Sequence, residues 1–211
     1  MLPHPIVIFP RSFKGNWRLL TYGWQSLFDF YKFDHSITKN ERTQKKPMGK
    51  PPIWIGNDHG GYDMKIKLIE YLQANSYPVV NVGSDSLKIV RYPYYAAIVA
   101  RAVSRKEAEL GILICSTGIG MSIVANKFKG VRASLCSTTY MGKITKAHND
   151  SNILCLGGKC IGVFEALDIL EAWLTTEYIG GRHDISLDLI SSEEESNFSG
   201  KLWSPNIPED Q

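Results

Sequence analysis

The sequence has no apolar run of about 18 residues, so no transmembrane helix is expected. The start is also a poor match to a secretory signal, and none is expected, because Pro3, His4, Pro5 and Pro10 interrupt the stretch where an apolar core should follow basic residues. Cysteine is scarce. Cys115, Cys136, Cys155 and Cys160 lie in or beside apolar runs and lack the short paired spacings of a zinc site, which fits reduced thiols in a cytoplasmic protein. A strong charge excess is also lacking, with 24 Lys/Arg against 21 Asp/Glu and a net charge of +3. Residues 1–50 hold nine of the basic and three of the acidic residues, leaving 15 against 18 for the remainder. The main body is therefore mildly acidic, which argues against a nucleic-acid face.

What is present divides into three stretches. Residues 1–50 are basic and rich in aromatics, with an amphipathic helix conceivable over residues 17–33. Three readings of this extension stay open: an organelle-targeting segment, an interaction arm, or residues upstream of a true start at Met48. Residues 51–190 alternate strand and helix patterns with short turns, the signal of a parallel sheet wrapped by helices. Strands are expected at 53–57, 79–82, 111–115, 131–135 and 153–156. Helices are expected around Met64 to Leu72, Tyr94 to Val103, Ile119 to Phe128, Thr139 to Ala147 and Phe164 to Leu174. A short helix running to Ile190 is expected next, then a flexible acidic tail over 191–211 in which Glu193 to Glu195 are solvated.

Ligands in such sheets bind beyond the carboxyl ends of the strands. Four clusters are expected to converge there: Asn57-Asp58-His59-Gly60-Gly61, the run from Cys115 to Ser122, His148-Asn149-Asp150, and Gly180-Gly181-Arg182-His183. In the second, Gly118 and Gly120 permit a tight turn whose backbone N–H groups point into one space at a helix N-terminus, suited to a phosphate or an oxyanion. A dinucleotide fingerprint needs a third glycine where Ile123 stands, and no P-loop Gly-Lys-Ser/Thr occurs. Thiols placed like Cys115 ionise more readily and act as bases or nucleophiles. The bland alternative is a buried structural cysteine. His59 and His148 are proton-transfer candidates, Asp58 strengthening the first, although a lone histidine is usually a surface or satisfied core residue. Arg132 and Arg182 carry donor forks that fit phosphate, against the bland reading of exposed arginines. Cys155 and Cys160 read as core thiols.

These motifs, with Ile-Leu-Ile-Cys-Ser-Thr-Gly-Ile-Gly-Met-Ser-Ile at 112–123, Ala-Asn-Lys at 125–127 and Leu-Gly-Gly at 156–158, resemble the B-type ribose-5-phosphate isomerases. The resemblance covers about residues 52–190, and several motifs in one order make it specific. It implies a Rossmann-like three-layer sandwich with a five-stranded parallel sheet, and no metal or organic cofactor. It also implies a homodimer or dimer of dimers with the site between subunits, and a place in the non-oxidative pentose phosphate pathway. By position, Cys115 resembles the base that moves a proton between C1 and C2. Thr117 and the backbone of Gly118, Ile119, Gly120, Met121 and Ser122 resemble the pocket for the enediolate. His148, helped by Asp58, resembles the pair that opens the sugar ring. His59, Arg132 and Arg182 match phosphate-holding positions, and Tyr92 and Asn149 match substrate-lining ones.

Two departures stand out. Ser186 occupies the place of a second arginine four residues after Arg182, and Arg91 replaces an acidic residue before Tyr-Pro. A hexose 6-phosphate such as allose 6-phosphate is the alternative substrate, since related isomerases share the glycine turn. A sugar-phosphate-binding protein without turnover is the alternative class.

Overall fold

A computed structural model describes residues 50–199. The N-terminal extension, Met48 and the end of the acidic tail lie outside the described residues. Five strands, β1 (Ile53–Asn57), β2 (Val79–Asn81), β3 (Leu110–Cys115), β4 (Ala133–Leu135) and β5 (Ile153–Gly157), form one sheet in the order β2-β1-β3-β5-β4. Every pairing is parallel, with Asn57 opposite Ile114 and Cys115 opposite Gly157. The strand order reverses between β1 and β3, and crevices that bind ligands form at such reversals.

Among the described residues four α-helices connect the strands, α1 (Tyr62–Ala74), α2 (Tyr92–Ser104), α3 (Ile119–Ala125) and α4 (Thr139–Asn149), and two follow β5, α5 (Val163–Thr175) and α6 (Arg182–Phe198). Met64, Leu68 and Leu72 fall four residues apart and bury one face of α1. Ala166, Ile169, Leu170 and Trp173 do the same for α5. Pro93 lies in the first turn of α2, where its missing N–H costs nothing. Thr138 caps α4 by accepting from Met141 N at 3.2 Å.

Alternation along the central strands divides the core in two. Ile112, Ile114, Leu154 and Leu156 pack with α1 and α5. Leu113, Cys115, Ile153 and Cys155 pack with α2 and α3 on the other face. β3 and β5 are apolar on both sides because both faces are covered. The three-layer sandwich expected from the sequence is the architecture found.

Three details differ from expectation. Strand β4 begins at Ala133, because Val131 N bonds to Phe128 O and Arg132 N to the Asn152 side chain. Helix α3 stops at Ala125, where the Asn126 amide turns to Ser122 O and Ala133 O. Helix α6 continues past Ile190 to Phe198, so the first part of the acidic stretch is helical. Glu194 accepts from Gly130 N at 2.9 Å and is partly buried, whereas Glu193 and Glu195 stay exposed as expected, Glu195 pairing with Lys129 at the surface.

Candidate functional site

The crest of the sheet gathers the first two motif clusters. Asp58 follows β1 directly and accepts from Gly60 N at 2.8 Å, which fixes the turn over His59–Gly61. Asp58 N bonds across to Ile114 O at 3.1 Å, bringing this turn beside Cys115. His59 Nδ1 accepts from Val90 N at 3.3 Å. A neutral imidazole with Nδ1 accepting carries its proton on Nε2, a donor for an anion.

The loop that supplies Val90 is anchored from below. Asn57 Nδ2 donates to Asp58 O at 2.7 Å and Ser84 O at 3.3 Å. The fully buried Lys65 donates to Ser84 O at 2.6 Å and Asp85 Oδ1 at 3.1 Å. Burial pulls the Lys65 pKa below the ordinary lysine value, and the Asp85 carboxylate opposes that shift. Sequence reasoning missed Lys65, because a lysine in an amphipathic helix reads as surface.

Cys115 ends β3 at 5% exposure, and its Sγ accepts from Gly118 N at 3.1 Å. Gly118 has φ 75°, the left-handed conformation that turns the chain into α3. Thr117 Oγ1 accepts from Ile119 N at 3.3 Å, and Ser122 Oγ donates to Ile119 O at 2.8 Å. The N–H groups of Gly120 and Met121 find no acceptor among the described residues. The Tyr92 ring lies against Gly120, so close that a Cβ there would sit 2.7 Å from it. From β5, Gly158 N bonds to Cys115 O at 2.8 Å and Lys159 N to Ser116 O at 3.0 Å. The exposed Lys159 thus stands beside the turn, a cation the sequence reading passed over.

The other thiols differ from Cys115 in setting. Burial pushes the Cys136 pKa up to about 11 and the Cys155 pKa higher still, so both stay protonated near neutral pH. Cys155 is a core thiol as expected. Cys160 is exposed, contrary to expectation, its sulfur 3.6 Å from Ser116 O.

The remaining candidates lie elsewhere. α4 runs antiparallel to the strands, so His148 and Asn149 at its end stand below the amino ends of the sheet. The expectation that all four clusters share the carboxyl ends therefore fails for two of them. From Ile153 to Gly157 the strand climbs four steps, about 13 Å at the usual rise. One small sugar phosphate cannot span that distance and touch both Cys115 and His148 of one chain.

Hydrogen bonds tie this lower cluster together. Arg132, expected at a phosphate, instead donates from Nε to Asn149 O at 2.9 Å and from Nη2 to Asp150 O at 2.7 Å and Asp150 Oδ2 at 2.8 Å. It caps the last carbonyls of α4, where Asp150 adopts a left-handed φ of 43°. Lys146 completes the cap on Asp150 Oδ1 at 2.8 Å. Arg182 is exposed and has no hydrogen bond or ion pair among the described residues, which leaves its guanidinium open to an anion. Ser186 lies one turn along the same face of α6, where a second arginine would have stood beside the first. The His183 ring stacks on His148, with 4.1 Å between centroids.

Among the described residues no group of three His, Cys, Asp or Glu is placed to hold a metal ion, and no helix is long and apolar enough to cross a membrane.

Comparison with known proteins gives one consistent picture. Residues 53–190 match the ribose/galactose isomerase family. Ribose-5-phosphate isomerase B of Escherichia coli is 41% identical over 143 residues, which is 68% of this chain and 96% of that protein. The structure of Clostridium thermocellum ribose-5-phosphate isomerase B superposes with a TM-score of 0.68 at 42% identity, covering 69% of this chain and 99% of the other. That of the Mycoplasma genitalium ribose-5-phosphate isomerase B with bound ribulose 5-phosphate gives 0.66 at 34% identity, covering 68% and 96%.

Proposed function

The chain belongs to the ribose/galactose isomerase family, and from that premise we propose that it interconverts ribose 5-phosphate and ribulose 5-phosphate by proton transfer through an enediolate. Cys115 is the observation that carries the reading. Its sulfur ends a central strand beside unpaired backbone donors, with Asp58 and His59 within one turn of the neighbouring strand.

The chemistry has two parts. Ring opening takes the proton from the O1 hydroxyl and delivers one to the ring oxygen, as the C1–O4 bond breaks and the aldehyde forms. His148, with Asp58, serves this step. Cys115 as thiolate then removes the C2 proton and electrons move onto O1; the O2 hydroxyl passes its proton to O1 and becomes the ketone as the same thiol returns the first proton to C1. The N–H groups of Gly120 and Met121, with Thr117, face the transient oxyanion. A well-placed donor of this kind lowers the barrier by about 3 kcal/mol. His59 Nε2–H and Arg182 hold the phosphate, and Tyr92 and Asn149 line the sugar. Arg132 steadies the end of α4 in place of contacting the phosphate.

Because crest and lower cluster are a sheet-length apart, the working unit is a homodimer in which Cys115 of one copy faces His148 of the other. Complementation tests this. Cys115→Ala and His148→Asn are each expected to lose roughly 10²-fold or more in turnover. Co-refolded as a one-to-one mixture, half of the dimers are mixed and each holds one intact site, so about a quarter of wild-type activity returns. No recovery would place both groups in one chain and refute the shared site. Allose 6-phosphate turned over faster than ribose 5-phosphate would reassign the substrate.

A further inference from the structure

We propose that His183 is a positioning residue for ring opening: stacked on His148, it fixes the orientation in which that imidazole meets the sugar. The inference rests on the role given to His148 above. The chain is built to bring the two rings together. After α5 it crosses back over the end of α4, where Ile179 N donates to Ala147 O at 3.0 Å, one residue before His148. Gly180 and Gly181 follow with φ of 69° and 63°, values that side-chain-bearing residues rarely adopt, and they reverse the chain into α6. Asp184 N bonds to Gly181 O at 3.0 Å, and Tyr178 OH donates to Asp184 Oδ1 at 2.7 Å, closing the turn. Two half-buried imidazoles are left with centroids 4.1 Å apart and planes 14° from parallel.

A histidine at a helix end ordinarily samples several rotamers, and each must be frozen out when it acts on a bound sugar. The stack removes that freedom beforehand. Desolvation, then the neighbouring His148 and Arg182, hold the His183 pKa below the ordinary histidine value, with Asp184 opposing. The platform is accordingly uncharged near neutral pH, and a proton delivered to the pair is not drawn to His183. Desolvation and the bond to Asp184 push the Tyr178 phenol up to about 12, so it remains a donor throughout the working range.

A positioning role differs from general scaffolding because the two chemical steps can be read separately. Ribulose 5-phosphate carries its phosphate on the C5 oxygen and forms no five-membered ring. Exchange of its C1 proton with deuterium oxide therefore needs Cys115 and the oxyanion donors but no ring opening. Turnover of ribose 5-phosphate, which is cyclic in solution, needs both. In the full-length protein, His183→Ala is expected to slow ribose 5-phosphate turnover roughly 5- to 20-fold, less than removal of His148 itself, while C1 exchange stays within about twofold of wild type. His183→Phe, which keeps a flat ring on His148, is expected to recover most of the loss. Unchanged turnover in His183→Ala would overturn the proposal, as would exchange falling in step with turnover. Wild-type protein that neither turns over ribose 5-phosphate nor exchanges the C1 proton would remove the isomerase reading itself, and this inference with it.

Discussion

Replacing Gly118 with alanine separates two costs that the turn after β3 combines. Gly118 has φ 75°, and Gly130, in the loop before β4, has φ 74°. The two share a conformation and differ in surroundings. A Cβ on Gly130 meets nothing within 4 Å, whereas one on Gly118 would sit 2.5 Å from Leu135 Cδ1, 2.9 Å from Leu156 C and 3.0 Å from Leu156 O. Leucine can swing its methyl aside, but the Leu156 carbonyl belongs to β5 and cannot give way without disturbing the sheet. The left-handed conformation costs an L-residue about 1–2 kcal/mol, offset in part by about 0.4–1 kcal/mol from a stiffer unfolded chain. Gly130→Ala should therefore destabilise by about 1 kcal/mol. Gly118→Ala carries the same strain plus overpacking, about 1–3 kcal/mol more. Urea unfolding at one fixed protein concentration reads both, with the midpoint moving and the slope unchanged. Relief of the clash also displaces the Gly118 N–H that now lies 3.1 Å from Cys115 Sγ, so turnover should fall by at least tenfold in that variant alone. Equal destabilisation of the two variants would refute the claim that β5 confines the turn. Full turnover in Gly118→Ala would refute the claim that this N–H holds the Cys115 sulfur in place.

Two further substitutions probe the lower cluster. Arg132→Met removes the cap from the end of α4, and a positioning role lowers kcat about tenfold with KM for ribose 5-phosphate within about twofold. A KM raised tenfold at constant kcat would return Arg132 to the phosphate. Trp173 Nε1 donates to Ser151 Oγ at 2.7 Å inside the core, so Trp173→Phe strands a fully buried hydroxyl and should cost about 1–3 kcal/mol in urea unfolding. Adding Ser151→Ala should restore part of that loss, and a double variant less stable than the single one would show that ring packing dominates.

Much of the fold was legible because its strands are short apolar runs bounded by turn residues and its helices repeat at three and four residues. The β1 boundaries agree to the residue, and β4 and α3 differ only where Arg132 and Asn126 take partners outside their elements. The crest candidates were legible as well, since a motif that follows a parallel strand lies at its carboxyl end. His148 and His183 were misplaced because α4 and α5 each carry the chain back to the amino end before these residues, a reversal that motif reading alone does not show. His183 was placed in its cluster but given no role beside Arg182, because nothing in Gly-Gly-Arg-His states which way its ring faces. Arg132 was read by chemical type alone, and its partners, two backbone carbonyls of another element, leave no trace in sequence pattern.

The strand order has a consequence for how the chain assembles. β4 pairs only with β5, and β5 also pairs with β3, so the strand made last takes an interior place. While the chain is still being synthesised, β4 has no neighbour to join and β3 presents an open edge. Leu110–Cys115 is apolar and uncharged along that edge, the kind of strand that recruits other chains. Arrival of Ile153–Gly157 fills the gap and gives β4 its partner in one event. Sheet completion is therefore expected to be abrupt, and a chain stalled before β5 is the species a chaperone or a protease would meet.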